Sequence, residues 1–236
     1  MNMNMNGSSS VVIGDEDTTT TKDEEEVHDS VKEYYSVVLN KSKDLKTTAC
    51  TAGMRPPPWL RRIFKTIPEE VKEKFYGCGV PLPNGIRGLK VLDLGSGSGR
   101  DCYALASLVG EQGRVVGVDM TEEQLVVARA HVDGFCKDTL GYSASNCEFV
   151  KGYIERLADS GLQDASFDLI VSNCVVNLSP DKEAVLREAY RVLKVGGEMH
   201  FSDVYASRRL PKSVREDSTL WGECLSVRIF AFINGA

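Results

Sequence analysis

The sequence predicts an α/β fold in which a parallel sheet carries helices on both faces. The first observation is the stretch Val91-Leu-Asp-Leu-Gly-Ser-Gly-Ser-Gly-Arg100, where a run of buried-type residues ends in a glycine turn. The second is Val115-Val-Gly-Val-Asp119, an apolar run that ends in a carboxylate. The third is the alternation of strand and helix patterns from residue 89 onward. Together these features are typical of a Rossmann-like βαβ unit that holds a nucleoside at the carboxyl edge of its sheet.

The glycine turn differs from the one that binds dinucleotides. Gly95, Gly97 and Gly99 alternate, whereas the dinucleotide fingerprint requires its third glycine where Arg100 stands. The glycines let the backbone turn tightly and approach a ligand closely. Asp119 is placed to accept hydrogen bonds from ribose hydroxyls. A cofactor without a pyrophosphate suits this pattern, which therefore predicts a class I methyltransferase that uses S-adenosylmethionine.

The individual elements follow from residue patterns. Apolar residues recur at helical spacing from Val27 to Val38 and predict a helix over residues 27–40. Pro56-Pro-Pro58 excludes a regular helix before residue 59. Further helices are predicted at 59–65, from Pro68 towards Phe75, at 99–109, at 122–135 with Thr121 as its cap, at 182–193 before the terminating Gly196-Gly197, and around 213–224. Strands are predicted at 89–94, 114–119, 147–152, 167–172 and 198–204.

Composition and charge separate residues 1–26 from the rest of the chain. Residues 1–26 hold seven acidic residues and one basic residue, with too few apolar residues to offset the entropy of ordering, so disorder is expected there. The other residues hold 27 acidic and 27 basic side chains, out of 34 and 28 in the whole chain. This balance argues against nucleic acid or an anionic membrane as a partner. We expect a helical extension with cysteine-bearing loops at 27–88 and a methyltransferase domain from residue 89 onward.

No segment has the features of a targeting signal or of a membrane span. The N-terminal residues are acidic and lack arginine, unlike an organelle transit peptide, and they lack the apolar centre of a secretory signal. No run approaches the ~20 apolar residues that cross a bilayer. A cytoplasmic protein with no membrane partner is therefore expected, and we expect it to be a monomer.

Cysteine is frequent, with seven residues in a chain of 236. No pair has the Cys-x-x-Cys spacing of a zinc or redox motif, and an odd count in a reducing compartment argues against a stable disulfide framework. Three of the cysteines lie in or beside predicted elements and are expected to be small buried hydrophobic residues: Cys102, Cys136 and Cys147. The histidines lie in separate elements and are expected to be structural: His28, His131 and His200.

Nine stretches of the chain together resemble arsenite methyltransferases. They are Tyr34-Tyr-Ser-Val-Val-Leu39, Asp44-Leu-Lys-Thr-Thr-Ala-Cys50, Tyr76-Gly-Cys-Gly79, Leu92-Asp-Leu-Gly95, Gly99-Arg-Asp-Cys-Tyr103, Gly117-Val-Asp-Met120, Gly152-Tyr-Ile-Glu155, Ser172-Asn-Cys-Val-Val-Asn177 and Leu220-Trp-Gly-Glu-Cys224. The likeness runs from about residue 31 to residue 225. It is specific because it includes cysteine contexts that other methyltransferases lack.

The resemblance implies a reaction and a set of site residues. The family's arsenic-binding cysteines fall on Cys50, Cys78, Cys174 and Cys224, and the last three would hold the trivalent arsenic substrate, with no metal cofactor. The S-adenosylmethionine contacts fall on Tyr76, Gly95, Gly97, Asp119, Met120, Ile154, Glu155 and Asn173. The backbone at 95–97 would face the methionyl part, Asp119 the ribose, and Ile154 with Glu155 the adenine. Family members methylate glutathione-bound trivalent arsenic, which detoxifies it, and use thioredoxin or glutathione as reductant.

The residue types suit this chemistry. Soft thiolate ligands select soft centres such as trivalent arsenic over magnesium or calcium. Three thiolates leave arsenic electron-rich, so its lone pair can attack a sulfonium methyl group without a general base. The protein would contribute alignment, worth up to ~7–11 kcal/mol. Cys174 is the leading candidate because it follows the fourth strand at the carboxyl edge, where open α/β sheets bind ligands.

After Cys224 the resemblance ends, which implies an incomplete methyltransferase domain at 89–225 and a divergent tail at 226–236, and alternatives stay open. The last two strands of the usual seven-stranded sheet are expected to be missing, which would leave the fifth strand with an open edge. Residues 227–233 alternate aliphatic and aromatic side chains and could cover that edge, or the tail could have no role. The chain could methylate arsenite, bind trivalent metalloid without turnover, or methylate an organic small molecule with its cysteines incidental.

Overall fold

A computed structural model of the chain describes residues 24–39, 56–205, 210–215, 217 and 220. At its centre lies a parallel sheet. The strands are β1 (Lys90–Leu94), β2 (Arg114–Asp119), β3 (Cys147–Lys151), β4 (Phe167–Asn173) and β5 (Leu193–Ser202). Among the described residues their spatial order is β3-β2-β1-β4-β5, with every neighbouring pair parallel. The predicted Rossmann-like α/β fold is therefore confirmed.

Helices precede the sheet and connect its strands. They are α1 (Glu24–Glu33), α2 (Pro58–Thr66), α3 (Glu69–Glu73), α4 (Arg100–Val109), α5 (Glu122–Ala130), α6 (Val132–Gly134), α7 (Lys182–Val192) and α8 (Lys212–Arg215). Shorter helical turns lie at Tyr34–Val38, Phe135–Thr139, Leu157–Ser160 and Val176–Leu178.

The sheet separates two apolar cores. In β1, Val91 packs into a core that includes buried residues of α2, α4 and α5. Leu92 and Leu94 of the same strand pack into the opposite core, which includes Val185 and Ala189 of α7. Burial on both faces explains why these strands read as nearly continuous apolar runs in the sequence.

The chain builds the sheet outward from β1 in both directions, first through β2 and β3 and then, after crossing back, through β4 and β5. β2 and β3 lie on one side of β1, and β4 and β5 lie on the other. Leu94 is level with Val118 of β2 and with Ser172 of β4, so the segments that follow these three strands leave the sheet at the same edge. Open α/β sheets bind their ligands at such a switch point.

The fifth strand differs from its prediction. It was predicted at 198–204 but begins at Leu193. The two glycines predicted to end the preceding helix lie inside β5, where Gly196 has a φ of +81°. Helix α7 already ends at Val192, because Leu193 pairs with Phe167 of β4. Pairing with a distant strand therefore ends the helix before the glycines are reached.

The helix predicted at 122–135 is interrupted. Its first part, α5, ends at Ala130, α6 follows at Val132–Gly134 after a break at His131, and a wider helical turn continues from Phe135 to Thr139. Thr121 occupies the predicted cap position, but its side chain makes no capping hydrogen bond to the helix. Its backbone N–H instead donates to the carboxylate of Asp119 over 2.8 Å.

The predictions for the first and last helices can be compared with the structure only where residues are described. Helix α1 begins at Glu24, ahead of the predicted start at Val27. Of the helix predicted around 213–224, α8 covers Lys212–Arg215. Residues Cys50 and Cys224 and the segment 227–233 lie outside the described residues. Within the part of the chain that the structure describes, none of the helices has the length and apolar character needed to cross a membrane.

Candidate functional site

A cleft opens at the carboxyl edge of the sheet, beyond the ends of β1, β2 and β4. With its open mouth included, the cleft has a volume of about 910 Å³. All eight residues predicted to contact the cofactor line this cleft: Tyr76, Gly95, Gly97, Asp119, Met120, Ile154, Glu155 and Asn173. Cys174 lines it as well, so residues from distant parts of the sequence meet in one place.

The glycine turn after β1 forms one wall of the cleft. Gly95 and Gly97 have φ angles of +67° and +52°, which side chains rarely adopt. A Cβ atom at Gly95 would overlap the side chain of Val175, whereas a Cβ at Gly97 would meet no atom within 4 Å. The backbone at Gly97 is therefore open to a bound molecule.

Asp119 lies at the end of β2 and faces the glycine turn. Its Oδ2 accepts a hydrogen bond of 2.8 Å from the Gly97 N–H, and its Oδ1 accepts one of 2.8 Å from the Thr121 N–H. Burial raises the pKa of the Asp119 carboxyl, although these backbone donors act in the opposite direction. Because a carboxylate offers about four acceptor positions, Asp119 keeps capacity for further donors.

Glu155 occupies another wall and has two protein partners. Its Oε1 accepts a hydrogen bond from the Ser179 hydroxyl and lies 3.3 Å from Nε2 of His28. Burial raises the pKa of the Glu155 carboxyl, but the hydrogen bonds from His28 and Ser179 outweigh it, and the pKa lies below its usual range. Glu155 is thus held as a carboxylate.

His28 was expected to be structural, and the structure places it in the lining of the cleft. Its ring lies 4.7 Å from that of Tyr153, and only 6% of the residue is exposed. The contact with Glu155 spans 127 residues of sequence. No local motif marks such a pair, so it could not be predicted from the sequence.

The first helix covers the cleft. Besides His28, Lys32 of α1 donates a hydrogen bond of 2.7 Å to the Tyr153 hydroxyl. Just after α1, the Tyr35 carbonyl accepts one of 3.1 Å from Gln124 of α5. Val31 packs against Cys174 in a small apolar cluster. Helix α1 therefore reaches both Glu155 and Cys174.

Two of the predicted arsenic ligands meet at one end of the cleft. Cys78 and Cys174 form a disulfide, and their Cα atoms lie 5.9 Å apart. Composition argued against a stable disulfide framework, so this pairing was not predicted. Cys174 has a φ of +59°, and its N–H donates to the Ser202 carbonyl of β5 over 2.7 Å. The positive φ is uncommon for a residue with a side chain, and such strain concentrates at functional sites.

Acidic side chains form the floor of the cleft. Asp93 of β1 is buried, and its Oδ2 accepts a hydrogen bond of 3.1 Å from the Cys102 thiol. Burial, and then the neighbouring Asp101 carboxylate, raise the pKa of Asp93 well above its usual range. Cys102 is buried and free, as are Cys136 and Cys147, so the prediction for these three cysteines is confirmed.

Two buried polar atoms in the lining have no hydrogen-bond partner among the described residues. They are Oγ of Ser96, in the glycine turn, and Oε1 of Gln124, in α5. Buried polar atoms are normally paired, so each of these is a position where a ligand atom could bind. No group of three or more His, Cys, Asp and Glu side chains in the described ranges is arranged to hold a metal ion.

Comparison with known proteins places the chain among methyltransferases. A family model described as a methyltransferase domain matches residues 87–232. The arsenite methyltransferase of Aquipseudomonas alcaligenes is 55% identical over 204 residues, which are 86% of this chain and 58% of that protein. The arsenite methyltransferase of Homo sapiens is 48% identical over 87% of this chain and 55% of that protein.

A solved structure agrees with these relatives. The crystal structure of an arsenic(III) S-adenosylmethionine methyltransferase from Chlamydomonas reinhardtii superposes with a TM-score of 0.72 at 60% identity, covering 75% of this chain and 59% of that one. The chain thus spans little more than half the length of the relatives it matches.

Proposed function

Because the chain belongs to the methyltransferase-domain family, we propose that it transfers the methyl group of S-adenosylmethionine to trivalent arsenic held by cysteine thiolates. The observation that carries the proposal is the meeting of two residue sets in one cleft. Cys174 lines the same cleft as Asp119 and Glu155, and Cys78 is bonded to Cys174. Relatives named arsenite methyltransferases support the choice of acceptor.

The chemistry of the lining fits S-adenosylmethionine. Bound there, this cofactor supplies an electrophilic methyl group on a positively charged sulfur. The open backbone at Gly97 would admit its methionyl part, and the Ser96 hydroxyl, which has no partner among the residues that the structure describes, lies in the same turn. Asp119 would accept hydrogen bonds from the ribose hydroxyls, since its two backbone donors fix the orientation of the carboxylate.

The remaining cofactor residues would hold the adenine and the cofactor's flanks. Ile154 is buried and apolar, which suits an aromatic base, and the adjacent Glu155 carboxylate can accept from an exocyclic amine. Tyr76 and Met120 add apolar surface to the lining. Gln124 Oε1, buried without a partner in the described part of the chain, supplies one more acceptor on this side.

The thiols would hold the substrate. Trivalent arsenic is a soft centre that prefers sulfur ligands. Cys78 and Cys174 already lie within bonding reach of each other, so two thiolates can share one arsenic atom. Cys224 is the expected third ligand, with Cys50 as a further arsenic-binding cysteine. With its lone pair free, thiolate-bound arsenic would be the nucleophile: the As–C bond would form as the sulfur–methyl bond breaks, S-adenosylhomocysteine would leave, and the protein would align the two groups.

We infer that a thiol reductant is the partner of this site. The Cys78–Cys174 disulfide has no thiolate to offer until two electrons and two protons convert it to a dithiol. Glutathione or thioredoxin would supply these by thiol–disulfide exchange. The cytoplasm, where both reductants are kept reduced, is the compartment in which we expect a monomeric enzyme of this kind to work.

The direct test is turnover by the purified chain. Arsenite, glutathione and methyl-labelled S-adenosylmethionine are added, and methylated arsenic is separated and counted. Product should rise with protein concentration and should require both the thiol and the methyl donor. No methylated arsenic at any protein concentration would reject the proposal for this chain.

Thermal melting distinguishes the proposed enzyme from a module that binds trivalent arsenic without methylating it. For the proposed enzyme, arsenite added after reduction and S-adenosylmethionine should each raise the melting temperature, because ligands that bind only the folded state stabilise it. A rise with arsenite and none with S-adenosylmethionine would instead favour the module. Replacement of Cys174 by serine should abolish the arsenite effect and keep the S-adenosylmethionine effect.

A further inference from the structure

The loop that carries Cys78 has no strand or helix of its own. It is held instead against the side chain of Asn173, the last residue of β4. A Cβ atom at Gly77 would lie 2.7 Å from Cγ of Asn173, so the loop and the carboxamide are in close contact. The two residues that flank Cys78, Gly77 and Gly79, both touch Asn173.

Asn173 binds both backbone groups of Gly79. The Gly79 N–H donates to Oδ1 of Asn173 over 2.9 Å, and Nδ2 of Asn173 donates to the Gly79 carbonyl over 2.9 Å. A carboxamide can donate and accept side by side in this way, whereas a carboxylate can only accept. The residue after Cys78 is therefore fixed by a reciprocal pair of hydrogen bonds.

The carboxamide is itself anchored on α4. Nδ2 of Asn173 also donates to Oδ2 of Asp101 over 2.8 Å. The other carboxylate oxygen of Asp101 accepts from Nε and Nη2 of Arg100 over 2.9 and 2.6 Å. The Arg100 guanidinium lies 3.2 Å from the ring centroid of Phe75, just before the Cys78 loop. The Arg100 and Asp101 side chains are 14% and 5% exposed, so water competes little for these bonds.

We propose that Asn173, anchored by Asp101 and Arg100, is a positioning residue that sets the Cys78 thiol opposite Cys174. The inference rests on the proposed function, in which these two thiols bind the arsenic. Asn173 and Cys174 are consecutive, so one backbone segment carries both a substrate thiol and the group that holds the opposing loop. Because these hydrogen bonds already order the loop, less conformational entropy is lost when the two thiols bind one ligand.

The test measures how readily the two thiols react with each other. Cys50 and Cys224 are replaced by serine so that no other candidate thiol competes. The chain is equilibrated with glutathione redox buffers, in which the dithiol and oxidised glutathione give the Cys78–Cys174 disulfide and two reduced glutathione molecules. Alkylation and peptide mass spectrometry give the equilibrium constant. Asn173→Ala should lower it about tenfold, the effect of losing ~1.4 kcal/mol of preorganisation.

A buried asparagine elsewhere gives the matched control. Nδ2 of Asn146 donates to the Ala106 and Gly110 carbonyls, away from the cleft, so Asn146→Ala removes similar bonds. It should leave the equilibrium constant nearly unchanged, while circular dichroism checks that each variant is folded. An unchanged constant in Asn173→Ala, or an equal fall in both variants, would overturn the proposal.

Asp101→Asn keeps the shape of the anchor and removes its charge. A smaller fall of the constant, about threefold, is expected because Asn173 keeps both bonds to Gly79 but loses a charge-assisted one. If Asn173→Ala does not fold, an unchanged constant in this variant overturns the proposal. The exchange needs neither arsenic nor S-adenosylmethionine, so failure of methyl transfer would refute the proposed function without affecting this result.

Discussion

Cys78 and Cys174 lie 96 residues apart in the sequence, and the fold brings their Cα atoms to 5.9 Å at the carboxyl edge of the sheet. Cys174 follows β4 directly, whereas Cys78 lies in the loop before β1. Cys174 also lines the cleft that contains the candidate cofactor residues, so the disulfide joins the two candidate arsenic ligands to that cleft.

The two glycines of the turn should respond differently to alanine. Both have a positive φ, so both variants are strained, but only a Cβ at Gly95 would overlap Val175. Gly95→Ala should therefore lower the free energy of unfolding by roughly 1 kcal/mol more than Gly97→Ala. Urea denaturation measures the difference. Val175→Ala should recover part of the loss in Gly95→Ala, and a double variant no more stable than the single one would show that the overlap is not the cause.

Asp119 should contribute to cofactor affinity. Removing a charged acceptor costs ~1.5–3 kcal/mol, so Asp119→Ala should weaken S-adenosylmethionine binding roughly tenfold to a hundredfold. Isothermal titration calorimetry measures the dissociation constant. Asp133→Ala removes a surface carboxylate and should leave the constant unchanged. An Asp119 variant that binds as tightly as the Asp133 variant would remove Asp119 from the binding site.

The buried Asp93 should cost stability at neutral pH. Burial raises its pKa well above the ordinary 3.8. A carboxyl with a raised folded-state pKa stabilises the folded protein below its unfolded pKa, and that contribution is lost as the pH rises towards the folded pKa. Asp93→Asn removes the titration, so the variant should exceed the wild type in free energy of unfolding near pH 7. The difference in free energy of unfolding between Asp93→Asn and the wild type should become smaller towards pH 4.

Asp168 supplies a control, because its pKa is shifted in the direction opposite to that of Asp93. Burial raises its pKa, but the hydrogen bonds from Lys194 and from the Lys90 N–H outweigh this effect, and the pKa is lowered. Its ionised form therefore stabilises the folded state above the unfolded pKa, and this is lost as the pH falls through the folded pKa. Asp168→Asn should destabilise at neutral pH and less in acid. Urea unfolding near pH 7 and near pH 4 measures the change in free energy of unfolding for each variant. If Asp93→Asn and Asp168→Asn changed it in the same direction at both pH values, the opposite pKa shifts assigned to the two carboxyls would be refuted.

His28 should hold the first helix over the cleft. His28→Leu removes the contact with Glu155 and leaves a buried carboxylate with one partner fewer, which costs on the order of 1–3 kcal/mol. Hydrogen exchange in residues 24–39 should accelerate. His131 pairs with Glu70 at the surface, where such pairs contribute ~0–1 kcal/mol, so His131→Leu should leave that exchange unchanged. Equal exchange in both variants would mean that the His28 contact does not hold the helix.

Local patterns predicted much of the fold. β2 was predicted at 114–119 and spans Arg114–Asp119, because an apolar run bounded by a charged residue on each side has clear ends. β5 was predicted poorly, since its start depends on the pairing of Leu193 with Phe167, which no local pattern encodes. The helix predicted at 122–135 is present as α5 and α6, and the break at His131 is the part that the apolar pattern did not predict.

The cleft was predictable where its residues follow strands. Gly95, Asp119 and Asn173 stand at the ends of β1, β2 and β4, and strand ends that share an edge must meet. His28, by contrast, reaches Glu155 from 127 residues away, and only the three-dimensional path of the chain brings them together. The Asn173 bonds to Gly79 span 94 residues and were missed for the same reason.

A single-turnover experiment tests the central claim most directly. The reduced protein is loaded with arsenite, freed of excess, and mixed with methyl-labelled S-adenosylmethionine, and label on arsenic is followed in time. Wild type and Cys136→Ser, which changes a buried cysteine outside the cleft, should each label the bound arsenic at similar rates, and Cys174→Ser should not. Labelling by Cys174→Ser at the wild-type rate, or none by the wild type, would contradict methyl transfer to thiolate-bound arsenic in this cleft.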